Sequence, residues 1–179
     1  MKLIYQILIS IAVTQNVSQG MSQGFESERI FKEASIQLDA VIEKVFPLFG
    51  PIEEMKWAPG WNPEIIYSAT GVVDEHMVFK TKEKFEEEED YTWVVSQFAP
   101  EHFSITYSIH TKERIWFVNV TCSTQRDKTI AKVKYTFTGL TNRGNVRNKM
   151  ALEKMFENNL KDWEKAINYY IYTGRKIEE

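Results

Sequence analysis

LEKMFENNLKDWEKAINYYI, running from Leu152 to Ile171, is the stretch that decides the fold. Leu152, Phe156, Leu160, Trp163, Ile167 and then Tyr170 or Ile171 recur at steps of three or four, the spacing of one face of an α-helix. Glu153, Lys154, Glu157, Lys161, Glu164 and Lys165 flank that stripe and keep the opposite face wet. Asn142 or Asn145 is the expected N-cap, and Gly174 suits a left-handed C-cap. One long amphipathic helix cannot bury its stripe against itself. It needs an apolar surface elsewhere in the chain.

The segment before it offers that surface. From Glu64 onward, apolar and polar residues alternate with period two through short stretches separated by turns. The expected strands are Ile65–Ala69, Met77–Thr81, Tyr91–Phe98, His102–His110, Ile115–Ser123 and Ile130–Phe137. Connections this short join antiparallel neighbours, so six strands make a meander. Arg29–Leu38 adds an earlier strand, with Ile30, Ala34, Ile36 and Leu38 (and Lys32) on one side. A short helix then carries Val41, Val45, Phe46 and Phe49, with Asp39 as its expected N-cap; Gly50-Pro51 stops it, and Ile52–Lys56 adds one more turn.

Between that turn and the meander stands Trp57-Ala58-Pro59-Gly60-Trp61-Asn62-Pro63. Two prolines fix φ and remove donors, and Gly60 opens a backbone angle closed to other residues. The product is a stiff, bent connector carrying two large rings. It either caps the core or forms the wall of an apolar cavity.

Composition narrows the function. A net charge of -3 with scattered Lys and Arg provides no stripe to track a nucleic-acid backbone. Cys122 is the single cysteine, in an apolar strand pattern, so an intrachain disulfide and a thiolate metal cluster are excluded and a buried thiol is expected. His76, His102 and His110 lie near strand ends without metal-binding spacing, and neither a metal nor a nucleotide cofactor is expected. No Ser-His-Asp order, Gly-rich phosphate loop or HExxH helix is present. Glu86–Asp90 lacks the spaced ligands of a calcium loop and reads as a solvated hairpin tip.

Residues 1–24 read as a signal-like segment: Met1-Lys2, an apolar run from Leu3 to Val13, then a polar stretch with Ser18-Gln19-Gly20. The run is too short for a stable membrane anchor. The expected location is secreted or periplasmic if the signal operates, and cytoplasmic if translation starts at Met21. A single domain spans residues 28–174.

Strand, short helices, meander and long C-terminal helix is the element order of the helix-grip fold, an α+β architecture. Ile36 to Phe49 resembles the strand-to-helix opening of the START/SRPBCC superfamily, with Ala40 or Val41 where a proline is usual. Trp57–Pro63, Gly71 with Met77–Thr81, Trp93–Val95 and Trp163–Tyr169 are similar to a bacterial SRPBCC subgroup without an assigned reaction. The superfamily includes polyketide cyclases, plant pollen-allergen-like carriers and lipid-transfer domains. The resemblance implies a curved sheet of about seven strands gripping the C-terminal helix around a cavity. Carried onto this chain, the cavity is lined by Phe79, Trp93, Tyr107, Trp116 and Tyr135 from the sheet and by Phe156 and Leu160 from the helix. Trp57 and Trp61 close one end.

The expected function is therefore binding of a hydrophobic small molecule or lipid, as carrier or sensor. Catalysis of the cyclase or aromatase kind, with Tyr107 or Tyr135 polarising a substrate carbonyl, is the alternative. A protein-interaction role like that of co-chaperone relatives is the third.

Overall fold

The computed structural model describes residues 24–178. The signal-like segment lies outside the described residues, apart from Gly24. Seven antiparallel strands form one sheet in the order β1-β7-β6-β5-β4-β3-β2: β1 Arg29–Leu38, β2 Glu64–Tyr67, β3 Val78–Thr81, β4 Tyr91–Ala99, β5 Ser104–His110, β6 Arg114–Gln125 and β7 Lys128–Gly139. Between β1 and β2 come α1 (Ile42–Val45), a 3-10 turn (Phe46–Phe49) and α2 (Pro51–Glu54). After β7 come α3 (Asn142–Met155) and α4 (Lys161–Thr173).

Alternation does what period two demands. In β5, β6 and β7 every second residue is buried: Ile105, Tyr107 and Ile109; Trp116, Val118 and Val120; Val133, Tyr135 and Phe137. Register stacks them in rows. Tyr107 lies beside Val118 and Val118 beside Tyr135, while Ile109 lies beside Trp116 and Trp116 beside Phe137. These rows form the inner face of the sheet. A register shift between Val95 and Gln97 interrupts β4, and Phe103 in a left-handed conformation (φ 49°) delays the start of β5 to Ser104.

The C-terminal helix is broken where the apolar stripe runs on without interruption. α3 stops at Met155, Asn159 and Leu160 both take left-handed angles (φ 54° and 61°), and α4 begins at Lys161. Asn is among the non-glycine residues that enter this region most readily, and Asn158-Asn159 is a poor helix interior. Leu160 pays conformational strain there but is buried in return. The two segments pack on different parts of the sheet, α3 over β7 and α4 beside β1.

Side chains lock both segments in place. The Thr141 hydroxyl, not Asn142 or Asn145, caps α3 by accepting the Gly144 N–H at 3.0 Å. Asn145 instead accepts the Glu28 N–H (3.1 Å) and donates to Glu26 O (2.8 Å). On α4, Glu164 accepts the Gln37 N–H (2.8 Å), and Asn168 donates to Gln37 O (3.0 Å) while accepting the Asp39 N–H (2.8 Å). Helix side chains thus cover the otherwise open edge of β1. Gly174 ends α4 in the left-handed conformation (φ 66°). Asp39 caps no helix; its carboxylate pairs with Lys128 at 2.8 Å.

One part of the acidic run is not solvated. Glu88 and Arg114 form an ion pair with side chains only 1% and 2% exposed: Nε donates to Oε1 at 2.6 Å and Nη2 to Oε2 at 2.8 Å. The guanidinium lies 4.6 Å from the Trp116 ring centroid and 5.1 Å from that of Phe85. Tyr91 donates to Glu88 at 2.7 Å, and burial with that bond pushes its phenol up to about 12. This cluster pins the β3–β4 connection across the sheet, while Glu86, Glu87 and Glu89 stay exposed.

Candidate functional site

The sheet's inner face is not filled everywhere. A cavity of about 180 Å³ remains between β3–β7, the Trp57–Pro63 connector and the start of α4. Trp57, Trp61, Phe79, Trp93, Tyr107 and Tyr135 line it, together with Trp163 from α4 and Val118 and Val120 from β6. Lys84, which is exposed, stands among the lining residues from the β3–β4 connection.

The connector holds its rings by bonds to the preceding helical turns. Trp57 donates its indole N–H to Leu48 O at 2.7 Å, and Trp61 donates to Pro51 O at 2.7 Å. Gly60 takes φ 67° so that the chain can turn between them. Trp57 is 2% exposed and meets Trp163 edge-on at 5.6 Å; Trp61 meets Trp93 edge-on at 5.4 Å. Phe79 stacks on Trp93 at 5.3 Å. Both connector indoles are therefore fixed end-walls of the cavity.

Three residues expected at the cavity pack elsewhere. Trp116 turns towards the Arg114 guanidinium and stacks on Phe137 at 5.6 Å. Phe156 sits edge-on to Tyr135 at 5.8 Å and does not line the void. Leu160, rotated by the helix break, is buried in the core. All three face the interior, but packed side chains occupy the space around them.

A decisive lining residue escaped the sequence reading. Glu54, the last residue of α2, lines the cavity floor beside Trp57. Glu54 is partly buried and lines the cavity. Among the described residues no hydrogen bond or ion pair engages that carboxyl, and burial pushes it well above the usual carboxylate range. Helical spacing was the available signal, because Glu54 precedes Trp57 by three residues on the same face.

The two cavity tyrosines differ. Tyr107 donates its hydroxyl to Phe49 O at 2.6 Å, so it is committed to holding the 3-10 turn. Tyr135 has no such partner among the described residues. Burial, and then the nearby Glu54 charge, raise both phenols well above their ordinary value. His76, His102 and His110 are all exposed and remote from the cavity. Burial pushes the Cys122 thiol up to about 12, which leaves it unreactive.

In sequence, the chain matches no family model and no curated protein. In structure it has many counterparts. Norcoclaurine synthase from Thalictrum flavum, in complex with dopamine and hydroxybenzaldehyde, superposes with a TM-score of 0.59 at 12% identity, over 95% of this chain and 97% of that one. The fold is the helix-grip fold of SRPBCC and Bet v1-like proteins. Ara h 8.0201 shares the helix-grip fold at 13% identity and TM-score 0.56, over 82% of this chain and 99% of its own. DynU16, from the dynemicin biosynthetic locus, aligns at 10% identity and TM-score 0.54, over 81% of this chain and 48% of its own.

Proposed function

We propose that this chain binds a compact, ring-sized apolar ligand in the cavity, as a carrier or sensor. The observation that carries the reading is a void of about 180 Å³ lined largely by aromatic side chains on the inner face of the sheet. A dry cavity of about 150 Å³ is enough to hold benzene, whereas drug-sized sites run to roughly 300 Å³ and above. Volume therefore favours a single-ring molecule over a lipid chain. The helix-grip neighbour solved with dopamine and hydroxybenzaldehyde, compounds of one ring each, lends the reading support. Because the rings of the connector point inward, binding is favoured over a docking role for them.

Native mass spectrometry of gently purified protein, followed by addition of benzyl alcohol, tests this. The expected result is a one-to-one adduct that disappears in a Val118→Phe variant, whose larger side chain fills the void. Spectra that stay free of any adduct up to millimolar probe would sink the reading.

One observation favours a catalytic second reading. An unpartnered carboxyl that lines a cavity and is raised by burial above the usual carboxylate range is suited to general acid–base chemistry. On that reading Glu54 transfers the proton and the Tyr135 hydroxyl polarises a carbonyl of a polyketide-like substrate, whereas Tyr107 is already committed. Glu54→Gln would then abolish turnover and leave ligand binding intact.

A further inference from the structure

The cavity wall is short of donors and rich in electron density. Three of its four indole N–H groups are already consumed: Trp57 by Leu48 O, Trp61 by Pro51 O and Trp93 by Thr81 Oγ1 at 2.9 Å. The Tyr107 hydroxyl is consumed by Phe49 O. The remaining lining is chiefly aromatic, and Glu54, Tyr135, Trp163 and the exposed Lys84 supply its polar groups.

An anion entering this space meets electron-rich ring faces and Glu54, and its one cationic partner among the described lining residues is the exposed Lys84. A neutral apolar ring is accommodated but leaves the carboxyl without a partner, and buried polar groups are rarely left so. An organic cation satisfies both features at once. Indole and phenol faces attract positive charge, most strongly where water is excluded, and the carboxylate supplies the counter-charge.

We propose that the ligand carries an ammonium group on its ring-sized body, with Glu54 as counter-ion and Trp57, Trp61 and Trp163 among the aromatic walls around it. This rests on the cavity being a ligand site.

The charges around Glu54 are compatible with it. Tyr107 on β5 and Tyr135 on β7 are neutral, held well above their ordinary value by burial and by the Glu54 charge. Asp162 in the first turn of α4 adds negative potential near Tyr135. Lys84 also lines the cavity, from the β3–β4 connection, and is exposed to solvent, which screens its charge.

Binding then has a proton balance. Burial favours the protonated form of Glu54 in the empty site; where that form is present, the carboxyl releases its proton to solvent as the cation enters and becomes the counter-charge. Affinity for the cation therefore rises with pH below the raised Glu54 value, approaching about tenfold per pH unit, one proton being released per cation bound.

Benzylamine and benzyl alcohol test the proposal. They match in size, and only the amine is charged near neutral pH. Calorimetric titration of the intact chain at about pH 7 should show benzylamine binding at least roughly tenfold tighter, the scale of a charge-assisted bond in a buried site. Glu54→Gln should remove that preference, bringing the two probes within about threefold of each other. Glu54→Leu gives the same reading should the Gln variant fold poorly. Equal or tighter binding of benzyl alcohol by the wild-type chain overturns the cation while the ring-sized site stands. A preference that survives in both Glu54 variants overturns the counter-ion. Binding of neither probe overturns this inference and the site together.

Discussion

Glu54→Gln exchanges a buried carboxyl for an amide of nearly the same shape that cannot ionise. Burial raises the carboxyl of the folded protein above its ordinary value of 4.5. The native state therefore keeps a proton that the unfolded chain gives up. Where the unfolded state binds fewer protons than the folded one, stability falls as pH rises. At pH below about 4.5 both states are protonated, and the two proteins differ only by a constant. Above that value the wild type loses stability relative to the variant, by up to about 1.4 kcal/mol per pH unit for a single proton. The divergence levels off once pH passes the folded-state value, so the plateau height reports the shift at about 1.4 kcal/mol for each unit of displacement. Urea unfolding of both proteins, fitted by linear extrapolation at steps from about pH 4 to about pH 8, reads the difference directly. Every other titrating group is common to the pair and cancels. A difference that stays flat over this range refutes the enclosed, low-dielectric setting assigned to Glu54.

Arg114→Met strands the Glu88 carboxylate in the interior and should cost about 3–5 kcal/mol in urea unfolding; adding Glu88→Leu should restore most of it, and a single variant as mild as the double would contradict the buried pair. Tyr107→Phe should cost roughly 1 kcal/mol because Phe49 O loses its donor, whereas Tyr135→Phe should stay within about 0.5 kcal/mol; equal costs would mean that the two hydroxyls are not in different settings. Trp57→Ala should cost about 3–5 kcal/mol through lost packing and the orphaned Leu48 O. Combined with Trp61→Ala it should also abolish ring binding; unchanged binding in the double variant would reduce the connector to a cap on the core.

Strand content was legible because one face of the sheet is buried and the other is not. Arg29–Leu38 spans the residues its alternation marks. Trp57 and Trp61 were legible as walls because Pro and Gly stiffen the chain between them. Parity, however, shows which face points inward and not where that face is left unfilled. Trp116, Phe156 and Leu160 were therefore placed at the cavity when packing encloses them. An unbroken apolar stripe also concealed the helix break, whose local cue was Asn158-Asn159. Glu54 and Glu88 escaped for a shared reason. An acidic residue reads as solvated until its tertiary surroundings are known, and Glu88 meets Arg114 only across 26 residues of chain.

Ligand binding in the cavity is most directly tested by titrating ¹⁵N-labelled protein with benzyl alcohol and following the indole N–H resonances of its five tryptophans. Trp57, Trp61, Trp93 and Trp163 line the void, while Trp116 is buried nearby against Arg114 and serves as an internal control. The expected result is a set of shifts at the four lining indoles that saturate on one binding curve, with Trp116 nearly unmoved. Resonances that remain still up to the solubility of the probe, or a Trp116 shift as large as the others, would contradict a ring-sized ligand site at the centre of the grip.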